Sequence, residues 1–214
     1  MEKRKIVTYQ LISIALMIAV LVLVLQLPDK DEKQENTAES KQETVLSVIH
    51  NRKSVRSFIP QKEVSKDDLV TLVKAGMAAP SAVNKQPWAF IVVTERATLD
   101  SLTTGLPYAQ MLKEAGAAII VCGDLDKAVE SLPEFWVQDC SAATENILLA
   151  AEAMGLGAVW TGAYPAMDRA KFIQDMLGLP ETIVPLNVIP VGHPAGETAP
   201  KDKWKEENLH WEKW

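Results

Sequence analysis

The sequence predicts a layered domain of the α+β or α/β class, preceded by an apolar N-terminal helix. The chain has 214 residues, of which 48% are hydrophobic and 23% charged, enough to bury a substantial core. Helical and strand patterns alternate from Thr44 to Val191 without an internal repeat, which is typical of such layered folds. The stretch Ile6 to Leu27 carries no charge over 22 residues, a length that suits a membrane-spanning helix.

Residues 1–27 are predicted to form an uncleaved signal anchor. Lys3, Arg4 and Lys5 precede the apolar stretch, and a basic flank favours a cytoplasmic N-terminus. A cleaved signal peptide is the competing interpretation, but small residues follow the shorter apolar core of such peptides, and the segment from Leu25 to Asp29 has none. We therefore expect a protein held in the membrane by its N-terminal helix, with the folded domain outside the cytoplasm.

Residues 28–41 are predicted to be a disordered linker because they are highly charged and almost free of apolar side chains. The folded domain is expected over residues 42–214. Residues 1–27 contain three basic residues and one acidic residue, so the rest of the chain keeps 19 basic and 27 acidic residues, a net charge of −8. This acidity, without a basic stripe, argues against nucleic acid as a partner.

The elements of the domain follow from periodicity and from capping residues. Ser65 and Asp68 form a variant of the capping box at the start of a helix that ends at Met77. The longest helical pattern, Pro133–Met154, is apolar on more than one side, so we expect it to be buried between elements or between subunits. The other predicted helices are Thr44–Asn51, Glu95–Thr103, Tyr108–Glu114 and Met167–Leu177, and the predicted strands are Trp88–Val93, Ala117–Cys122, Ala158–Thr161 and Ile183–Val191.

The tail from Gly192 to Trp214 has neither helical nor strand periodicity, but it contains three tryptophans. A segment so rich in tryptophan is unfavourable in water. We therefore expect the tail to cover a surface of this chain or of a partner subunit.

The sequence offers no conventional nucleophile and no metal-binding motif. Cys122 lies in a strand pattern and Cys140 in the long helix, so both are interpreted as core residues. His50, His193 and His210 are too far apart in sequence for a zinc motif. A Gly-x-Ser-x-Gly elbow and a phosphate-binding Gly-Lys-Ser/Thr loop are also absent. We therefore name no catalytic side chain and no metal ligand.

Two kinds of segment remain as candidates for binding. The loop from Ala79 to Trp88 combines two prolines with serine, asparagine, lysine and glutamine, which is typical of a ligand-contacting loop and also of an ordinary turn. Cations cluster at Arg52–Arg56 and at Lys201–Lys203. Such clusters are either solvated surface charge or an anion site, because guanidinium groups fork onto phosphate oxygens. In the second case, a phosphorylated cofactor would carry the chemistry.

Five segments resemble the FMN-dependent nitroreductase family in their residues and in their order along the chain. Arg52–Phe58 (RKSVRSF) resembles the family's Arg-Arg-Ser-x-Arg opening, and Ala79–Trp88 resembles its Ala-Pro-Ser-x-x-Asn-x-Gln-Pro-Trp loop. The other three segments are Gln138-Asp139-Cys140 with Asn146, Gly155 to Pro165 (GLGAVWTGAYP), and Val191-Gly192-His193-Pro194 followed by Lys201 and Lys203. The resemblance runs from about Thr44 to the C-terminus.

The resemblance implies a nitroreductase-like α+β fold, with a central, mainly antiparallel sheet surrounded by helices, and a homodimer with FMN at its interface. It implies that the ribityl phosphate and the ring edge are held by Arg52, Lys53, Ser54, Arg56, Lys201 and Lys203, with lysine at 53 and 203 where the family more often has arginine. The isoalloxazine ring would be lined from the partner subunit by Pro80, Ser81 and Ala82, with Asn84 and Gln86 bonding its polar edge. A third segment would lie against the ring and offer a backbone N–H near the flavin N5; it consists of Thr161, Gly162 and Ala163.

The reaction implied by the resemblance is ping-pong hydride transfer from NAD(P)H to FMN and then to a small aromatic acceptor of the nitroaromatic or quinone type. Its acceptor pocket is expected around Leu106–Met111 and Phe135–Trp136. One alternative is a membrane-anchored reductive dehalogenase, as in the iodotyrosine deiodinase branch, although the segment between Thr94 and Ala117 is short for that branch's lid. Another is a flavin-binding module without turnover. If the domain lies outside the cytoplasm, cytosolic NAD(P)H cannot reach it. Either the anchor is then inverted, or another reductant serves, or the physiological reaction is not the family's usual one.

Overall fold

A computed structural model describes the backbone of residues 16–18 and 30–214, and the side chains of residues 16–18 and 40–214. The chain divides into two compact units, Met1–Ser47 and Val48–Trp214. The helices are α1 (Lys30–Asn51), α2 (Lys66–Met77), α3 (Arg96–Gly105), α4 (Phe135–Ala153) and α5 (Met167–Leu177). The strands are β1 (Trp88–Val93), β2 (Ala117–Asp124), β3 (Gly157–Ala158), β4 (Thr161–Gly162) and β5 (Ile183–Gly192). Short 3-10 helices lie at Ala82–Asn84, Gln110–Lys113 and Glu206–Asn208.

The prediction of a membrane anchor requires correction. Most of the stretch on which it rests, Ile6 to Leu27, lies outside the described residues. Within residues 16–18 and 30–214, no helix combines the length and the apolar character that a membrane span requires. The structure therefore gives no support to the predicted transmembrane helix at residues 1–27 or to the extracytoplasmic location deduced from it.

The predicted linker at residues 28–41 overlaps a helix. From Lys30 onward the backbone is helical and continues as α1 through the predicted helix at Thr44–Asn51. Lysine, glutamate, glutamine and alanine dominate the start of α1, and all four have high helix propensity. A segment too polar to build a core can therefore still form a solvated helix.

An antiparallel sheet of five strands forms the centre of the unit Val48–Trp214. Its strand order is β1-β2-β5-β3, and β4 also pairs with β5. Every pairing among these strands is antiparallel, which confirms the predicted α+β fold with a mainly antiparallel sheet surrounded by helices. Helices cover both faces: Ile119 of β2 packs in a cluster with α2 and α4, while its neighbour Ile120 packs with α3 and α5. Because successive side chains point to opposite faces and both faces are covered, β2 is apolar from Ala117 to Cys122.

The prolines of β5 account for two irregularities of the sheet. Pro185 lies next to a register shift between β2 and β5, since Cys122 pairs with Pro185 while Val121 pairs with Asn187. The predicted strand Ala158–Thr161 is divided into β3 and β4, which keep one common register on β5 but leave Val159 and Trp160 unpaired. This gap lies opposite Pro190, which has no N–H to donate to a ladder. The prediction of a single continuous strand was therefore wrong at its middle, while the prediction that β5 tolerates two prolines is confirmed.

Most of the predicted helices are confirmed. Ser65 Oγ accepts the backbone N–H of Asp68 at 3.1 Å, as expected at the start of α2. Gly178 ends α5 in the left-handed conformation, with φ at 65°. α4 is buried within the unit itself, since only Gln138, Glu145 and Ala153 of this helix are exposed. The predicted helix at Tyr108–Glu114 is reduced to the 3-10 helix Gln110–Lys113.

Candidate functional site

The segment Arg52–Phe58 is fixed to the edge of the sheet. The N–H of Val55 donates to the carbonyl oxygen of Ala158 at 3.0 Å. Gly157 allows this close approach, because a Cβ at that position would lie 2.7 Å from Val55 Cγ1. Ser54 is half-buried. The predicted phosphate-binding segment therefore has a backbone that is positioned by β3.

The cations of this segment differ in what they contact. Arg52 Nε lies 3.0 Å from Glu145 Oε1, and Lys53 Nζ lies 2.7 Å from Glu152 Oε1. Arg56 is exposed, and no carboxylate in the described part of the chain forms an ion pair with it. The Lys53 ammonium is therefore committed to α4, while Arg56 is the cation of this segment that is free to meet an anion.

The other predicted cations, Lys201 and Lys203, lie in the exposed tail. The tail leaves the sheet after Ala195, whose N–H donates to the carbonyl oxygen of Ser57 at 3.1 Å. No described contact brings Lys201 or Lys203 to Arg52–Arg56. The tryptophans of the tail are exposed too, with 69%, 79% and 100% of Trp204, Trp211 and Trp214 accessible. Among the described residues these side chains therefore cover no surface, and the covering stays a prediction.

The loop that contains Pro80 is a compact turn with exposed polar groups. The N–H of Gln86 donates to Ser81 Oγ at 2.9 Å, and Gln86 Nε2 donates to Asn84 Oδ1 at 3.0 Å. Val83, Asn84 and Gln86 all have positive φ, at 49°, 56° and 52°. Pro80, Asn84 and Gln86 are exposed. The loop is therefore tied internally in a conformation that presents its polar side chains outward.

Asp139 of α4 holds this loop from below. Its Oδ1 accepts the backbone N–H of Ala82 at 2.8 Å. Only 5% of Asp139 is exposed, and its Oδ2 is buried without a hydrogen-bond partner among the described residues. An unpaired buried carboxylate oxygen is unfavourable, so the contact of Asp139 with the loop is made at some cost in desolvation.

The loop and the cation segment contact different sides of α4. Glu145 and Glu152, which pair with Arg52 and Lys53, are seven residues apart, about two turns, and share one face of the helix. Asp139 precedes Glu145 by six residues, which places it roughly 120° around the axis. A single chain therefore does not present the Pro80 loop and the Arg52 segment on one side of this helix.

The predicted ring-contacting residues lie on and after β4. Thr161 Oγ1 donates to the carbonyl oxygen of Val188 at 2.6 Å, and the N–H of Ala163 donates to the carbonyl oxygen of Leu186 at 2.9 Å. Ala163 is buried, whereas Gly162 is exposed. Ala163 thus cannot offer its N–H to a ligand, and Gly162 is the accessible residue of the three.

One of the two segments expected to shape the acceptor pocket lies beside β4. Tyr108 and Arg169 line a small pocket together with Thr161 and Gly162. Trp136, by contrast, is buried in the core, where its ring packs edge-on to that of Tyr164 at a centroid distance of 4.9 Å. The expectation for Leu106–Met111 is consistent with this geometry, while Trp136 is a core residue.

Both cysteines are buried free thiols, which confirms their interpretation as core residues. Burial raises the pKa of the Cys122 thiol to about 12. Burial, with smaller contributions from Cys122 and Asp139, raises the pKa of the Cys140 thiol even further. Neither thiol is therefore a thiolate near neutral pH, and neither is a candidate nucleophile.

A groove of about 960 Å³ lies elsewhere, between α2, the end of β1 and the start of α3. Aliphatic side chains such as Val70, Val73 and Leu99 line most of it. None of the residues predicted to bind a cofactor contributes to this groove, so its size does not identify it as the site of the predicted chemistry.

Sequence reasoning missed three features of this region. The ion pairs of Arg52 and Lys53 with α4 join positions about a hundred residues apart, and no sequence spacing indicates them. The contact of Tyr108 with Arg169 is equally non-local. The role of Asp139 had a sequence signal, because this residue is part of the Gln138-Asp139-Cys140 segment, but no function could be given to it without the loop geometry.

Comparison with known proteins identifies the family. The family model described as "Nitroreductase family" matches residues 49–104 and 99–193. A protein of Methanothermobacter thermautotrophicus, provisionally named an NADH dehydrogenase/NAD(P)H nitroreductase, is 45% identical over 170 residues, covering 79% of this chain and 87% of the relative.

Two solved structures extend the comparison. A provisionally named NADH dehydrogenase/NAD(P)H nitroreductase from Parabacteroides distasonis is 49% identical, with a TM-score of 0.75 and coverage of 79% of this chain and 98% of its own. A provisionally named nitroreductase from Desulfovibrio desulfuricans, crystallised in complex with FMN, is 30% identical, with a TM-score of 0.70 and coverage of 79% and 97%. The shared fold, the identity and the extent of the match show that the chain belongs to the nitroreductase family.

Proposed function

We propose that this protein is an FMN-dependent oxidoreductase that uses NAD(P)H to reduce nitroaromatic or quinone-type acceptors. The observation that carries the proposal is the similarity to a family member crystallised with FMN, which covers 79% of this chain. The name of the Methanothermobacter relative points to NAD(P)H as the donor. When bound, FMN supplies hydride chemistry that no side chain of this protein offers, accepting two electrons from the donor and passing them to the acceptor in a ping-pong cycle.

The residues present fit a phosphorylated flavin. Arg56 is an exposed cation without a carboxylate partner among the described residues, and the terminal nitrogens of Arg52 remain available beyond its contact through Nε. Guanidinium groups bind phosphate oxygens in a forked geometry. Gly162, exposed at the edge of the sheet, offers a surface without a side chain on which a planar ring can lie.

The site is proposed to be completed by a second copy of the chain. The Pro80 loop and the Arg52 segment contact faces of α4 that are roughly 120° apart, which favours a loop that serves a neighbouring subunit. Asn84 and Gln86 of this loop are exposed. The exposed tryptophans of the tail add apolar surface of the kind that subunit interfaces cover.

The first test is spectroscopic. The purified chain, loaded with FMN, should show flavin absorbance, which NADH or NADPH should bleach under anaerobic conditions and a nitroaromatic or a quinone should restore. For a nitro group, two electrons and two protons convert it to a nitroso group and water, so one NAD(P)H is consumed in each such step. A chain that does not bind FMN would contradict the proposal. If the protein binds FMN and is yellow but neither nucleotide bleaches it, only a flavin-binding function would remain of the proposal.

The second test concerns the phosphate site. Arg56→Ala should weaken FMN binding by about 1.5–3 kcal/mol, the contribution of one charge-assisted hydrogen bond. Lys171→Ala is the matched control, because Lys171 is an exposed cation that pairs with Asp175 and is not among the residues proposed to bind FMN. The dissociation constants are measured by titration of flavin fluorescence. Equal affinity of the Arg56 variant and the control would show that Arg56 does not hold the phosphate.

A further inference from the structure

Tyr108 and Arg169 meet at the exposed end of β4. Tyr108 lies between α3 and the 3-10 helix Gln110–Lys113, and Arg169 lies in the first turn of α5. The Arg169 Cζ atom is 5.1 Å from the centroid of the Tyr108 ring. Both residues line a depression of only about 10 Å³ with Thr161 and Gly162, so a ligand would lie on this surface and not inside it. The arrangement places a cation and an aromatic ring beside the strand proposed to contact the flavin.

Arg169 has an unusual electrostatic environment for a half-buried cation. The described residues include three half-buried arginines: Arg52, Arg96 and Arg169. Arg52 pairs with Glu145, and Arg96 pairs with Asp100 at 3.0 Å. Arg169 alone forms no ion pair with a carboxylate of the described chain.

The neighbours of Arg169 on its own helix do not neutralise it. Asp168 is adjacent in sequence and exposed, and adjacent residues of a helix point about 100° apart. Ala166, the N-cap of α5, provides no side-chain hydrogen bond to the first turn. The partial positive charge of the helix N-terminus adds to that of the guanidinium group and is offset in part by Asp168 in the same turn.

The contact between Arg169 and Tyr108 lies at the surface and is not part of the hydrophobic core. Tyr108 is 72% exposed as a residue, so the pair forms a ledge at the surface. A ledge made of an aromatic face and a guanidinium group suits a planar ligand that carries an anionic group, because the ring packs on the aromatic side chain and the anion accepts hydrogen bonds from arginine.

We propose that Tyr108 and Arg169 form a subsite that recognises aromatic acceptors bearing a carboxylate, with Arg169 bound to the carboxylate and the acceptor ring directed towards Gly162. This inference rests on the proposed flavin function and adds the class of acceptor. The phosphate of the nicotinamide donor is also an anion that Arg169 could bind. In a ping-pong cycle each substrate has its own kcat/KM, so the effect of a variant on the donor is measured separately from its effect on the acceptor.

The test compares two acceptors that differ in charge and little in size. The full 214-residue chain, loaded with FMN, is assayed with 4-nitrobenzoate and with 4-nitrobenzamide. Arg169→Gln should lower kcat/KM for 4-nitrobenzoate roughly tenfold to hundredfold, as expected for one charge-assisted contact. The values for 4-nitrobenzamide and for NAD(P)H should stay within about twofold, and Arg169→Lys should recover part of the loss.

A matched control separates local recognition from a general change of charge. Lys171→Gln removes a cation from the same helix, since Lys171 is exposed and pairs with Asp175. This variant should leave the preference between the two acceptors unchanged. Tyr108→Ala should weaken the binding of both acceptors, because it removes the aromatic face and not the charge.

A binding measurement provides a readout that does not depend on turnover. Benzoate and benzamide are titrated by calorimetry into the oxidised, FMN-loaded protein and into the Arg169→Gln variant. Benzoate should bind more tightly than benzamide to the unaltered protein, and the variant should lose this difference while its FMN affinity and thermal unfolding remain unchanged.

Three results would overturn the inference. These are an unchanged preference for 4-nitrobenzoate in Arg169→Gln, an equal loss for both acceptors, and a loss confined to kcat/KM for NAD(P)H, which would assign Arg169 to the donor phosphate. A protein that fails to bind FMN or to be reduced fails the spectroscopic test above instead, so the failure of the proposed function is recognised separately.

Discussion

Replacing Asp139 with alanine should loosen the Pro80 loop and weaken FMN binding without unfolding the protein. Asp139 Oδ1 accepts the Ala82 N–H at 2.8 Å, and hydrogen bonds to a charged group contribute about 1.5–3 kcal/mol. Between Pro80 and Gln86 the other hydrogen bonds of the loop join its own residues to one another. Its next tie to the core is at Pro87, whose carbonyl oxygen accepts the Asp124 N–H at 2.9 Å. The loss should therefore appear in the local order of the loop.

The effect on global stability should be much smaller. Asp139→Ala also removes the buried Oδ2, which has no partner in the described chain, and the desolvation cost of this atom opposes the gain from Oδ1. The half-exposed Ala82 N–H can bond to water in the variant. We expect the free energy of unfolding of the apoprotein to change by less than about 1 kcal/mol, while FMN affinity falls roughly tenfold to hundredfold.

Three measurements examine this reasoning. Flavin fluorescence gives the FMN dissociation constant, urea unfolding followed by tryptophan fluorescence gives global stability, and hydrogen exchange reports the protection of the Ala82 amide. Asp139→Asn keeps an oxygen acceptor and should show a smaller loss of affinity than Asp139→Ala. Unchanged FMN affinity together with unchanged exchange at Ala82 would refute the role of Asp139 as the residue that positions the loop.

Two further predictions concern stability. Val83 is 81% exposed and has a φ of 49°, which is unfavourable for a β-branched residue, so Val83→Asn should raise the free energy of unfolding by about 1 kcal/mol; no gain in urea unfolding would show that this backbone is not strained. The raised pKa of Cys122, about 12 against an ordinary value of 9.0, means that only the unfolded chain loses this proton between those pH values. Stability should therefore be retained below pH 9 and fall as the pH rises above it, by about 1.4 kcal/mol per pH unit for this thiol. Cys122→Ala should show a correspondingly shallower fall in urea unfolding at several alkaline pH values, and equal slopes would contradict the assigned burial effect.

Local signals in the sequence predicted those elements whose determinants are local. The capping of α2 by Ser65 and the end of α5 at Gly178 depend on residues within a turn of each other. The break between β3 and β4 depends on a partner strand, because it lies opposite Pro190, and periodicity contains no information about strand pairing.

The candidate site shows the same limit. The family motifs indicated which residues of Arg52–Arg56 and Pro80–Gln86 to consider, but they could not show that Lys53 is paired with Glu152. Charges that meet across a fold are set by tertiary packing, and surface spacing along the chain does not report them. The same limit applies to Tyr108 and Arg169, since neither belongs to a motif and their contact exists only in the folded chain.

Strand β5 fixes the distance between the two ends of the proposed site. Its residues Asn187 and Val188 pair with β4, and its residues Val191 and Gly192 pair with β3, beside which the Arg52 segment is attached. The five-residue interval from Asn187 to Gly192 corresponds to roughly 17 Å of extended backbone. An extended strand cannot lengthen further. The number of residues in this interval therefore sets the distance between Gly162, where the flavin ring is proposed to lie, and the Arg52 segment, where its phosphate is proposed to bind. Deleting one residue from this interval would shorten the span by about 3.3 Å and turn every later side chain to the opposite face, so the length of ligand that fits is a property of this one strand.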